Sequence, residues 1–307
     1  MQRIHAAGLM LALALASCAP GAEAAPPKLD KAKWEAYLRY AEGYVPAVKF
    51  DVEDAKPSPF PGFFQVAVHL SSGESKLDRN YYVTADGKSI VNGTLWDLSQ
   101  PPFAENLKHL PNDGYSFGPA DAPVKIVVFS DFQCPFCSEL AKTMRNELPK
   151  KYPDKVRVVF KDYPLTNIHP WALAAAESAH CLGDQKPEAF WAFHDWIFEH
   201  QKDVNPGNLR EKTMLIAGQQ QLDNAKVANC LDNHAPAPEI EKSIQLARLL
   251  QVQSTPTFYV NGRPESGNLP WDKLSPLIDF ELTRPKEFSL PVAEKCCEVV
   301  IPKVGGK

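Results

Sequence analysis

Residues 131–140 read DFQCPFCSEL. Cys134 and Cys137 bracket a Pro-Phe pair, and the run just upstream, KIVVFS over 125–130, is apolar and β-branched. A short continuous apolar run of that kind predicts a buried strand. Pro135 predicts the first turn of a helix, where the N–H that proline lacks would have no partner anyway. Leu140, Met144 and Leu148 follow at steps of four and carry the helix on. Two thiols therefore stand where a strand gives way to a helix. The spacing allows a metal clip, a structural disulfide or a redox pair.

A zinc clip needs four ligands, usually a second C-x-x-C or a matching His pair. The sequence holds no second C-x-x-C. His194 and His200 are six apart on a predicted helix and so face different ways. A disulfide between i and i+3 closes a very short loop and removes little unfolded-state entropy. The redox pair makes use of the context. A sulfur at the helix N-terminus sits near unpaired N–H groups and the positive end of the macrodipole, which favour its thiolate. Cys137, one turn further in, is expected to be partly covered and to act as the resolving thiol.

The N-terminal residues predict export from the cytosol. Arg3 precedes an apolar run over 6–16, too short to span a bilayer, which predicts a secretory signal. Leu15-Ala16-Ser17-Cys18 has the form of a bacterial lipobox, with Cys18 as the lipidated residue, and is preferred over the competing A-x-A site at 22–24. The expected location is the periplasm, with a lipid anchor if the lipobox is used. An exported chain meets an oxidising compartment, where paired cysteines tend to be oxidised. Seven cysteines are present; without Cys18, six remain, and sequence alone allows 15 connectivities.

The 307 residues suffice for two domains. A net charge of −4 without a Lys/Arg cluster argues against nucleic acid as a partner. After an Ala/Pro-rich tether over 19–30, an amphipathic helix is expected over 31–44, with Trp34, Leu38 and Ala41 on one face. Strands are expected over 62–70 and 80–84, then a turn at 85–88 and a further strand. This small α+β unit is drawn to residue 108, and the Pro/Gly-rich stretch 109–123 is read as a linker. The second domain, 124–285, opens on the 124–130 strand. It continues with the helix from Pro135, a strand over 156–161 and a helical block broken at Gly183, Pro187, Pro206 and Pro236/Pro238. A strand over 257–260 with an Asn261-Gly262 turn and a helix over 271–282 close it. That order predicts a small α/β sheet with a helical insertion over 165–252. Residues 286–307 form a tail holding Cys296 and Cys297.

Ser254-Thr255-Pro256-Thr257-Phe258 sets a proline at the start of a strand. With Phe129-Ser130-Asp131-Phe132-Gln133-Cys134-Pro135-Phe136-Cys137 and Phe160-Lys161-Asp162-Tyr163-Pro164, it resembles the thioredoxin superfamily and, within it, the DsbA-like proteins. The resemblance covers roughly residues 120–282. It implies a thioredoxin fold with a helical insertion and catalytic Cys134 and Cys137. By the same likeness, Pro256 is a cis-proline packed against them, and the Thr255 backbone holds the substrate segment. The 52–59, 81–88 and 91–98 stretches are similar to the dimerisation domain of DsbC/DsbG isomerases. That likeness implies a homodimer.

The resemblance also frames the departures. Phe136 stands where strong oxidases of the family carry histidine, and its side chain donates no hydrogen bond, so Cys134 should be less acidic. Together with Thr255 this leans towards disulfide interchange. Asp131 and Lys161 are candidates for a proton relay beneath Cys137, with solvated strand ends as the plainer reading. His169, His180, His194, His200 and His234 are assigned no role. Cys181 and Cys230, on separate predicted helices, are candidates for a structural disulfide, with two buried thiols as the alternative. Cys296 and Cys297 fit a strained vicinal bond, a soft-metal site or a link between subunits. The expected activity is an exported thiol–disulfide oxidoreductase leaning to isomerase. It needs no cofactor beyond its own redox-active disulfide and no resident metal. Its expected partners are unfolded or misoxidised exported proteins and a membrane redox protein. The competing readings are a DsbA-like oxidase, a copper-handling protein and a purely structural dimeric lipoprotein.

Overall fold

The computed structural model describes residues 25–73, 75–93 and 102–284. The signal region, Cys18, Cys296 and Cys297 lie outside the described residues. Contacts divide the chain into two units, Met1–Leu95 and Trp96–Lys307.

The first unit opens with helix α1 (Lys31–Ala41), capped by the Asp30 carboxylate, which accepts from Lys33 N at 3.1 Å. The helix buries Trp34 and Leu38, but Ala41 is its last residue and is exposed. Gly43, at φ +73°, turns the chain away from the helical path. Strands β1 (Lys49–Val52), β2 (Lys56–Pro57), β3 (Phe63–Ser72), β4 (Ser75–Thr84) and β5 (Ile90–Asn92) form one antiparallel sheet. Its order is β1-β3-β4-β5, with β2 also against β3. Strand β3 alternates, burying Phe64, Val66, Val68 and Leu70 against Tyr81, Val83, Val52 and the α1 pair. A period of two on one half-buried face is what an antiparallel sheet covered on one side requires. Trp34 meets Tyr81 edge to face at 6.2 Å.

The second unit starts earlier than the sequence reading drew it. Helix α2 (Ala104–His109) belongs here, since Asn106 Nδ2 donates to Gly262 O at 2.8 Å. Strand β6 (Ser116–Phe117), in the stretch read as a linker, pairs with the later strand β8 (Val156–Asp162). A two-residue strand and a six-residue helix carry too little periodicity to show in sequence. Between them in the chain come β7 (Val124–Ser130) and α3 (Pro135–Lys151). The helical block follows: α4 (Ala172–Gly183), α5 (Pro187–Glu199), a 3-10 turn (Gln201–Asp203), α6 (Leu209–Gln219), α7 (Asn224–Asp232) and α8 (Ala237–Leu249). Strands β9 (Thr257–Val260) and β10 (Arg263–Ser266) and helix α9 (Trp271–Thr283) complete the unit.

The sheet order is β10-β9-β7-β8-β6, with β7 and β8 parallel and the other pairs antiparallel. Both faces are covered, which explains the unbroken apolar run. Val124, Ile126 and Val128 join the core beneath α3 and the helical block, while Val127 and Phe129 pack on the opposite face with Val159 and Tyr259. Helix α3 lays Cys137, Leu140, Met144 and Leu148 on its inner side, each 2% exposed or less. A disulfide joins Cys181 on α4 to Cys230 on α7.

Candidate active site

The junction between β7 and α3 holds both thiols. Cys134 is the N-cap residue of α3, in extended backbone with φ −70° and ψ 123°, and Pro135 is the first helical residue. The turn is held from three sides. Cys134 N donates to Asp131 O at 3.1 Å, and Gln133 N donates to the Asp131 carboxylate at 2.7 Å. The Gln201 side-chain amide donates to Phe132 O at 2.8 Å and Cys134 O at 3.0 Å. Ser138, one turn in, donates its hydroxyl to Phe198 O at 2.7 Å and so ties α3 to α5.

The two sulfurs are unpaired thiols in different electrostatic settings. The Cys137 thiol hydrogen-bonds to the Cys134 sulfur and favours its thiolate. Backbone N–H groups of Cys137 and Phe136 act in the same sense at the helix N-terminus. These effects outweigh burial and bring Cys134 down to about 6. Burial, with the neighbouring Cys134 thiolate, pushes Cys137 well above the ordinary thiol value. Cys137 was expected to be partly covered; it is 1% exposed, because it shares the inner face of α3 with Leu140 and Met144. Cys134 is itself only 4% exposed, whereas Phe136 beside it is 58% exposed.

The Thr255–Pro256 peptide bond is cis. Thr255 O accepts from the Cys134 thiol at 3.4 Å, across 121 residues of sequence. The two polar groups of Thr255 favour opposite states of that sulfur. Its carbonyl suits the thiol, while its buried hydroxyl, which makes no hydrogen bond, acts on the Cys134 value in the lowering sense. Pro256 and Cys137 line the same small cavity under α3.

The Asp131–Lys161 relay does not form. Lys161 is an odd position of β8, opposite Phe129, and so lies on the sheet face away from Cys137; its ammonium lies near Gly114. Asp131 is buried and accepts from Gln133 N, from Leu165 N at 2.8 Å and from His169 Nδ1 at 2.7 Å. Its own N–H points to Cys137 Sγ at 3.4 Å. Thus His169, left without a role in the sequence reading, is the partner of Asp131. Two further histidines are buried beside carboxylates. His180 Nε2 donates to Asp162 at 2.7 Å, and His194 Nδ1 donates to Asp195 at 2.8 Å. His234 pairs with Glu177, and His200 Nδ1 donates to Trp196 O. The separation of 38 positions between Asp131 and His169 explains why no local motif revealed the pair. Among the described residues, no group of three or more His, Cys, Asp or Glu side chains is placed to hold a metal ion. None of the described helices is long and apolar enough to cross a membrane.

A family model described as thioredoxin matches residues 112–280, more than half of the chain. The probable disulfide bond formation protein D of Bacillus anthracis is 33% identical over 174 residues, 55% of this chain and 78% of that protein. The Na(+)/H(+) antiporter NhaA 1 of Salinispora arenicola is 35% identical over 168 residues. That match takes in 55% of this chain but only 24% of the antiporter, so the chain spans about a quarter of that relative's length. In fold, the chain is similar to oxidised BdbD from Bacillus subtilis. The TM-score is 0.51 and the identity 24%, over 60% of this chain and 96% of that one.

Proposed function

The chain belongs to the thioredoxin family, and from that premise we propose that it is an exported thiol–disulfide oxidoreductase working through Cys134 and Cys137. One observation carries the reading: a helix-capping thiol brought down to about 6 stands beside a buried thiol pushed the other way. The first is a nucleophile near neutral pH, and the second is held protonated until a mixed disulfide forms. Cys134 attacks a substrate disulfide, and Cys137 then displaces the substrate. Thr255 and Pro256 flank the sulfur, where a substrate segment would lie. No cofactor is required beyond the cysteine pair. The substrates are unfolded or misoxidised exported proteins, and a membrane redox protein resets the pair. The α+β unit is proposed to make the protein a homodimer, for which sedimentation at the dimer mass is the check and a monomer the contrary result.

Replacing Cys134 with Ser should abolish insulin reduction and the reactivation of scrambled ribonuclease; retained activity removes the reading. Interchange is favoured over oxidation because Phe136 donates no hydrogen bond from its side chain. A low-pKa thiolate does stabilise the reduced form, which is the observation favouring an oxidase. The reduction potential of the pair separates the two. About −180 mV or lower fits interchange, and about −120 mV fits a dedicated oxidase.

A further inference from the structure

In the mixed disulfide Cys134 is bonded to substrate, and Cys137 must attack as a thiolate although it is buried and its thiol is pushed well above the ordinary value. A thiolate forming in such a place is helped by hydrogen-bond donors already aimed at the sulfur. One such donor is in contact with it. Asp131 N–H points to Cys137 Sγ at 3.4 Å and acts on the Cys137 value in the lowering sense, as the Ser130 side chain also does.

That N–H belongs to no sheet ladder. Strand β7 ends at Ser130 and α3 begins at Pro135, so Asp131 lies in the turn between them. Its amide direction is therefore set by what anchors the residue rather than by strand pairing. The Asp131 side chain is fully buried, and its carboxylate takes three donors: Gln133 N at 2.7 Å, Leu165 N at 2.8 Å and His169 Nδ1 at 2.7 Å. Gln133 belongs to the same turn. Leu165 and His169 come from the segment after β8, which is stitched to the turn on either side of them. Tyr163 N donates to Ser130 O at 2.8 Å, and Trp171 N donates to the Gln133 side-chain oxygen at 2.9 Å. His169 N also donates to Leu165 O at 2.9 Å, so Asp131, Leu165 and His169 form a closed ring of hydrogen bonds. Of the three donors to the carboxylate, His169 alone uses its side chain.

We infer that His169 is a positioning residue for the resolving step, holding the Asp131 N–H on the Cys137 sulfur by way of the Asp131 carboxylate. The inference rests on the function proposed above. In that step the Cys137 proton is lost to solvent, and its sulfur attacks the Cys134 sulfur of the mixed disulfide. The Cys134–Cys137 bond forms and the Cys134–substrate bond breaks. The substrate sulfur leaves with the electron pair and takes a proton back from solvent. Over both steps the substrate disulfide is reduced by two electrons and the cysteine pair is oxidised by two. The Asp131 N–H meets the Cys137 sulfur while that sulfur carries charge. The other charged or titratable groups that touch Cys137 or share its cavity wall are Cys134, Arg145 and His194, and the variants below leave them in place.

The test mixes reduced full-length protein with oxidised glutathione over a pH series, quenches with acid and resolves the species by mass. His169→Leu should form the mixed disulfide at the wild-type rate, which also reports a folded site. It should resolve that species about tenfold more slowly at neutral pH, with the rise in resolving rate displaced upward by about one pH unit, because a tenfold loss of thiolate corresponds to that displacement. His169→Asn, whose side-chain amide supplies a donor near the Nδ1 position without a titratable ring, should resolve as the wild type does. His169→Ala carries the test if His169→Leu does not fold. Resolution with the wild-type rate and pH profile overturns the inference. So does slowing by the same factor at every pH, which is what a merely loosened segment produces. His169→Asn behaving as His169→Leu overturns it too, since the imidazole would then act through its charge. A wild type that forms no mixed disulfide overturns the proposed function itself, and this inference with it.

Discussion

Asp131 connects the reactive turn to the segment behind it. Its carboxylate takes three donors and its amide faces the Cys137 sulfur. Removing the carboxylate leaves the half-buried N–H groups of Gln133 and Leu165 without partners, each costing up to about 1–3 kcal/mol. Asp131→Ala should therefore lower the unfolding free energy of the reduced protein by about 3 kcal/mol in urea titrations, an order-of-magnitude figure. An unchanged midpoint would mean that the turn is held by Gln201 alone. At this scale the sequence was legible where chemistry is local. The Cys134-Pro135-Phe136-Cys137 run, the proline that opens the helix and the Thr255-Pro256 step all signal through immediate neighbours. The histidine–carboxylate pairs at 131/169 and 162/180 were not, because their partners meet only after the helical block folds back on the sheet.

Among the elements, α4 and α7 carry a cross-link that the cysteine positions allowed but did not specify. Cys181 and Cys230 are 49 apart in sequence, and the Glu177–His234 pair joins the same two segments one turn away. Closing a loop of that length should contribute about 4 kcal/mol in the chain-entropy model. Replacing both cysteines with Ala should lower the denaturation midpoint while leaving the alkylation rate of Cys134 unchanged. Loss of Cys134 reactivity in that variant would show that the bond also shapes the site. The longer elements were readable from period: β3 alternates, α3 repeats every four, and β7 is apolar throughout. Lys161 failed as a relay for the same kind of reason. The period-two rule of a strand puts it on the wrong face, and the expectation rested on its nearness in sequence to the strand end.

For the whole molecule, the boundary between the two units shows where sequence reading stops. Composition placed a linker at 109–123, but β6 and α2 are too short to announce themselves and are fixed only by pairing with β8 and by the Asn106–Gly262 contact. The candidate site lies within the second unit: a sheet buried on both faces, a helix starting at a thiol and a cis-proline segment brought beside it. The central claim is that this arrangement holds the Cys134 sulfur as an anion near neutral pH while Cys137 stays protonated. Iodoacetamide alkylation of the reduced protein across a pH series, with each cysteine followed by peptide mass, tests it most directly. Cys134 should react with a midpoint near 6 and Cys137 scarcely at all. A Cys134 midpoint at the ordinary thiol value, about 8.5, or equal reactivity of the two sulfurs, would contradict it.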